Sequence, residues 1–181
     1  MGDVRVIVAT TVLAAAASLL SSTLLSWVAV AGVKPDLALV IVALMAMRRG
    51  SMPGQIAGFA SGLLADTISV APLGLTAMTR TVVGYVVGRM EGLISVDWLL
   101  LPAAVAIAAT VLKALALAAV GLAVPWVSSR YGIGPSAFLT SFLIEAGLNA
   151  VAAPALYVLL SVLPGMRERA SNQVRRARLR R

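Results

Sequence analysis

The sequence predicts an all-α polytopic membrane protein with six transmembrane helices. Three observations predict it. The 181 residues are 60% hydrophobic and only 12% charged, with a mean hydropathy of +0.98, too little polar material to coat a soluble domain of this size. Several apolar runs approach the length of about 20 residues that crosses a bilayer as a helix. The basic residues, finally, fall on alternate sides of those runs as the positive-inside rule requires.

The spans are placed at Val6–Val30, Pro35–Met47, Pro53–Val70, Gly74–Met90, Trp98–Pro125 and Ala137–Leu163. The first has an apolar core longer than the 7–15 residues typical of a signal peptide, and more membrane sequence follows it. It reads as a retained span. The second is short: about 12 apolar residues, or roughly 18 Å, against a hydrocarbon core of about 30 Å. Three readings stand for it. It is extended by Gly32–Pro35, or its outer end is recessed, making a polar dimple around Lys34 and Asp36, or it is a short helix shielded by neighbours. The third and fourth spans form a hairpin around "SVAPLG", and Pro154 falls inside the sixth. The remaining turns, "GVKPD", "RRGSMPG", "RMEGLISVD" and "SSRYGIGPS", carry the Pro, Gly and charge that interrupt helices.

With a cytoplasmic N-terminus, the inner segments hold Arg5, Arg48, Arg49, Arg89 and a tail containing seven of the fifteen basic residues. The outer loops hold Lys34 and Arg130. Removing any one span would put Arg48–Arg49 or the tail on the wrong side. Trp27, Trp98 and Trp126 each fall at a span end, where indole favours the interface. Residues 1–166 therefore read as one membrane domain, and residues 167–181 as a basic cytoplasmic tail. The net charge of +8 is concentrated in that tail, which suits anionic lipid better than nucleic acid.

Histidine and cysteine are both absent. Disulfides, thiolate nucleophiles, common zinc sites and imidazole acid–base catalysis are thereby excluded. The chain contains no Walker A loop, no H-E-x-x-H and no G-x-S-x-G. Asp36 and Asp66 stand alone in sequence and make no metal cage. No catalytic residue, metal or cofactor is expected, and the chain does not read as an enzyme.

The interior charges are the candidate sites. Gly54, Gly58, Gly62 and Asp66 recur every four residues along one face of the third span, and Arg80, Gly84 and Gly88 do the same on the fourth. Counted from the turn, Asp66 lies about 7 Å deep and Arg80 about 10 Å, so the two are expected to pair. Lys113 and Glu145 form a second candidate pair between spans five and six, in a stripe with Ser141 and Asn149. Charges in the bilayer need a partner or a wet cavity, so both structural and functional readings stand for each pair. The glycine faces allow close helix approach, within the chain or to a partner helix.

"PDLALVIVALMAMRRG" followed by "GQIAGFASGLLADTISVAPLGLTAMTRTVVGYVVG" resembles the family of the rod shape-determining protein MreD. The matching elements are Pro35–Asp36, the apolar span closing at Arg48–Gly50, the glycine run ending at Asp66, and Pro72, Leu73 and Gly74. They cover residues 35–88; length, span count and basic tail extend the likeness to the whole chain. The resemblance implies a non-enzymatic role in bacterial cell elongation and peptidoglycan synthesis. It implies partnership with an MreC-like single-span protein, and action with MreB, RodA and a penicillin-binding transpeptidase. It also implies a fold resembling the substrate-binding membrane component of energy-coupling-factor transporters. On that analogy, the alternative role is the substrate-binding subunit of a vitamin-type transporter.

Overall fold

The computed structural model describes residues 2–23, 29, 31–69, 72–91, 100–124 and 135–162. Among them are six helices and no strand: α1 (Gly2–Thr23), α2 (Leu37–Arg49), α3 (Ser51–Ile68), α4 (Leu75–Arg89), α5 (Leu101–Ala123) and α6 (Pro135–Val162). Two of them are long and apolar enough to cross a membrane on length and composition alone, α5 and the Phe138–Val162 part of α6. The three tryptophans, Arg130 and the basic tail lie outside the described residues.

Local chemistry sets the helix ends. Asp36 caps α2, its side chain accepting the Leu39 N–H at 3.0 Å. Arg48 and Arg49 occupy the last turn of α2, where cations complement the helix dipole. Gly50, at φ 91°, takes a backbone angle that L side chains resist and reverses the chain directly into α3. Pro53 and Pro102 fall in the first turns of α3 and α5, where a missing N–H costs nothing. Helix α6 continues through Pro154 to Val162.

The short helix α2 is the centre of the bundle. It touches all five other helices, and α1, α3, α4, α5 and α6 surround it in that order, each touching the next. Every residue from Ala38 to Met47 is at most 4% exposed. A helix apolar on all sides belongs in such a position. Its N-terminus starts near the midpoints of α5 and α6, because Asp36 meets Lys113 and Asn149 there. Helix α2 is thus shielded by its neighbours, and its N-terminal end lies level with the middle of α5 and α6.

The outer surface is apolar. Met52, Ile56, Phe59 and Leu63 form an exposed stripe on α3, and Leu115, Leu122, Leu143 and Val151 are exposed on α5 and α6. Arg49, Asp66 and Arg80 are buried while these large apolar side chains face out, the inverse of a water-soluble protein; Lys34 and Arg89 are exposed.

Candidate functional site

The α3–α4 hairpin is set by glycine. A Cβ on Gly58 would lie closer than 3.0 Å to the Arg80 carbonyl, one on Gly62 would strike the Ala77 backbone, and one on Gly88 the Ser51 backbone. Gly54 and Gly84 face each other, and Gly54 also meets Ala46 of α2. These five glycines are consumed by packing within the chain. The expectation that they offer a face to a partner helix is corrected accordingly: no Cβ-sized gap remains there for a second chain.

That register places Gly62 opposite Ala77 and Gly58 opposite Arg80. Asp66, in the last turn of α3, therefore reaches the start of α4 and not Arg80. Its Oδ2 accepts the Gly74 N–H at 2.9 Å and the Ala77 N–H at 3.2 Å, and its Oδ1 accepts the Thr76 N–H at 3.1 Å. Three donors at the positive end of a helix hold this carboxylate in place of a side-chain cation. Gly74 is left-handed at φ 96°, which turns its N–H toward Asp66, and Leu75 N–H donates to the Pro72 carbonyl at 3.2 Å. The Pro72-Leu73-Gly74 stretch and Asp66 thus form one capping unit. The expected Asp66–Arg80 pair does not form.

Arg80 pairs with Asp36. Its Nη2 donates to Asp36 Oδ1 at 2.8 Å, and its Nη1 donates to Ser18 Oγ at 2.9 Å and to the Ser61 carbonyl at 3.0 Å. Asp36 Oδ2 accepts from Lys113 Nζ at 3.0 Å, and Lys113 Nζ also donates to Glu145 Oε1. The Asp36 backbone N–H donates to Asn149 Oδ1 at 2.8 Å, and Asn149 Nδ2 donates to Thr110 Oγ1 at 3.0 Å.

A single polar network therefore draws a side chain or carbonyl from every helix: Ser18 of α1, Asp36 at the head of α2, Ser61 of α3, Arg80 of α4, Lys113 and Thr110 of α5, and Glu145 and Asn149 of α6. Two cations and two carboxylates leave it neutral. Arg80 and Asp36 are largely enclosed, with side chains 6% and 11% exposed, whereas Lys113 and Glu145 are each 19% exposed. Buried charge is tolerated where it is paired and its remaining donors are hydrogen-bonded. Arg80 Nε is the exception, buried without a partner among the described residues.

Sequence reasoning placed Lys113 and Glu145 at comparable depth, and the geometry brings them together. It missed Asp36 as the hub. The available signal was the shortness of the second span, which drops Asp36 to the level of charges on longer helices. It also missed the Ser18 hydroxyl, inside an apolar run, and the Ser61 carbonyl, a backbone group that no side-chain pattern marks. At the opposite end of α2, Arg48 stacks over the Tyr157 ring of α6, 4.0 Å from its centroid. Among the described residues, no group of three acidic, His or Cys side chains is placed to hold a metal ion.

Comparison with curated proteins gives no match, and comparison with solved structures gives none. The family model for the rod shape-determining protein MreD matches residues 4–163, and so takes in all six helices and nearly the whole bundle. The two elements that organise the interior, Pro35–Asp36 at the head of the central helix and Asp66 with its Pro-Leu-Gly turn, lie within that match, and the chain belongs to the MreD family of membrane proteins concerned with rod cell shape.

Proposed function

We propose that this chain is a non-enzymatic membrane scaffold of the bacterial cell-elongation complex, holding an MreC-like single-span protein near MreB, RodA and a penicillin-binding transpeptidase. All six helices span the cytoplasmic membrane in this reading. Both termini are cytoplasmic, residues 1–166 form one domain, and the tail at 167–181 lies against anionic lipid. The family assignment supports the role in cell shape. The observation that carries the scaffold reading is the use made of the interior carboxylates. Asp36 and Glu145 tie helices together and Asp66 caps one, so each holds the bundle in a single arrangement. A scaffold needs a rigid body and no turnover. Because the glycine faces are already filled, the partner helix docks on the outer apolar surface.

The alternative is the substrate-binding subunit of a small-molecule transporter, on the analogy with energy-coupling-factor components that the family resemblance implies. The open cleft beside Lys113 and Glu145 encloses about 70 Å³, well below the several hundred Å³ of pockets for drug-sized ligands. That size weighs against a vitamin.

Co-purification tests the choice. The chain is tagged at its N-terminus, extracted gently from its native membrane, and its bound proteins are identified by mass spectrometry. Recovery of an MreC-like protein or cell-wall synthases is expected. Recovery of an ATPase pair with a coupling membrane subunit would overturn the scaffold reading. Gly62→Leu, which splits the α3–α4 hairpin, is expected to lower partner recovery more than Arg178→Ala in the tail; equal recovery would count against the scaffold.

A further inference from the structure

The interior polar network opens toward the surface between α5 and α6. An open cleft of about 70 Å³ lies there beside Lys113 and Glu145, lined also by Leu117, Phe138 and Ser141. At about 1.5 Å per residue, Lys113 and Glu145 each lie about 15 Å from the end that the two helices share, at Ala123 of α5 and Pro135 of α6. Leu117 lies about 9 Å from that end and Phe138 about 5 Å. The cleft therefore runs from the middle of the helices toward the rim of the bundle.

Its polar groups are not saturated. Lys113 Nζ has three donors and gives two, to Asp36 and Glu145. Glu145 accepts through Oε1, and neither its Oε2 nor Ser141 Oγ has a hydrogen-bond partner among the described residues. Both charged side chains are 19% exposed, and both line the cleft. Helices α5 and α6 are long and apolar enough to span a bilayer. Hydrocarbon filling the cleft would leave these groups unsatisfied at membrane depth, where the cost is high.

Size and charge decide what fits. A water needs about 10–15 Å³ of room and a few polar partners, so the cleft takes several waters, whereas a drug-sized molecule is too large. Asp36, Arg80, Lys113 and Glu145 already sum to zero, so a bound ion would leave an uncompensated charge in a medium of low dielectric. A neutral occupant that both donates and accepts satisfies all three groups.

From this we infer that the α5–α6 cleft is a water-filled vestibule joining the Lys113–Glu145 pair to the aqueous phase at the C-terminal end of α5. Water donates there to Glu145 Oε2 and accepts from Lys113, with Ser141 on its path. Solvent thus reaches the middle of the bundle without crossing hydrocarbon. The inference rests on placing α5 and α6 in the membrane and not on the scaffold role.

The chain has no cysteine, so a single introduced thiol reports its own surroundings. Silver ion replaces the proton of a thiol where water lets that thiol ionise. Ser141→Cys puts the thiol in the cleft. Leu139→Cys and Leu143→Cys bracket it in depth, at positions 56% and 58% exposed on α6 that do not line the cleft. Each full-length variant is held in lipid nanodiscs, treated with silver nitrate for increasing times and denatured. The remaining thiol is then counted by maleimide labelling and mass spectrometry. Ser141→Cys is expected to react faster than either control by about tenfold or more, because hydrocarbon strongly disfavours an ionised thiol. Adding Ala114→Leu, which fills the cleft, is expected to bring it down to the control rate. Equally slow reaction at all three positions would overturn the inference; equally fast reaction would overturn the membrane placement with it. An unchanged rate in the folded Ala114→Leu variant would also overturn the inference. So would slowing by sodium nitrate but not by N-methylglucamine nitrate, which would assign the cleft to a small cation. If Ala114→Leu does not fold, the three single-cysteine rates decide. Partner recovery does not enter the readout, so failure of the scaffold reading leaves this test intact.

Discussion

The α3–α4 hairpin and the α5–α6 pair are both antiparallel neighbours, joined in opposite ways. In α3–α4, Gly54, Gly58, Gly62, Gly84 and Gly88 bring backbone against backbone, leaving no room for a Cβ. In α5–α6, the helices are held by Lys113–Glu145 and Asn149–Thr110, with an open cleft beside the ion pair. One joint is backbone against backbone, with the Asp66 carboxylate closing its turn and Arg80 reaching the Ser61 carbonyl; the other is held by an ion pair and an amide–hydroxyl bond beside a cleft. Lipid tails are as apolar as leucine, so neither joint gains from hydrophobic burial as a soluble core would. The comparison teaches that close approach excludes ligands, whereas a charged joint leaves space beside it.

The two joints break differently. The largest effect is expected from Asp36→Ala, which strands Arg80 and Lys113 together and should cost about 3–5 kcal/mol. Thermal unfolding in detergent measures this, and the double variant Asp36→Ala/Arg80→Met should regain part of the loss; no recovery would mean that the two side chains are not coupled. Next comes Gly58→Leu, whose side chain must force α3 from α4 at a cost of about 3 kcal/mol. Gly147→Leu, on the exposed face of α6, is the control and should stay within about 0.5 kcal/mol. Equal effects of the two glycine substitutions would show that the backbone contact at Gly58 does not hold the hairpin. Asp66→Ala removes a cap shared by three N–H groups and should cost about 1–2 kcal/mol, seen first as faster amide exchange at the start of α4. The smallest effect is expected from Arg48→Ala, which loses the stack on Tyr157, about 1 kcal/mol. A loss as large as that of Asp36→Ala would show that the far end of α2 matters as much as its recessed head.

The helices were legible in the sequence because apolar runs broken by Pro, Gly and charge leave few other solutions in a chain this hydrophobic. Their arrangement was not. An all-round apolar helix signals burial in a soluble protein, but in this chain nearly every helix is apolar, so "LALVIVALMAM" gave no sign of its central place. The spacing of glycines foretold a close face and not which helix would fill it. Depth counted from the turn brought Asp66 near Arg80 along the axis. It could not show that the glycine register sets Asp66 against the first N–H groups of α4, or that Arg80 crosses to α1 and α2. Hydrogen bonds between helices distant in sequence, such as Asp36 to Asn149, leave no local pattern to read.

The recessed central helix bears on the order in which the molecule is made. Helix α2 has 13 residues, about 20 Å of length, and is linked to α3 by Gly50 alone. Of its five neighbours only α1 is synthesised before it; α3, α4, α5 and α6 all follow. Until Arg80 emerges Asp36 lacks its first cation, and until α5 and α6 emerge it lacks Lys113 and Asn149. The helix made second is thus the last to be enclosed. Its neighbours must assemble around it as synthesis proceeds, and a ribosome stalled after α4 would leave Asp36 with Arg80 but without Lys113 and Asn149.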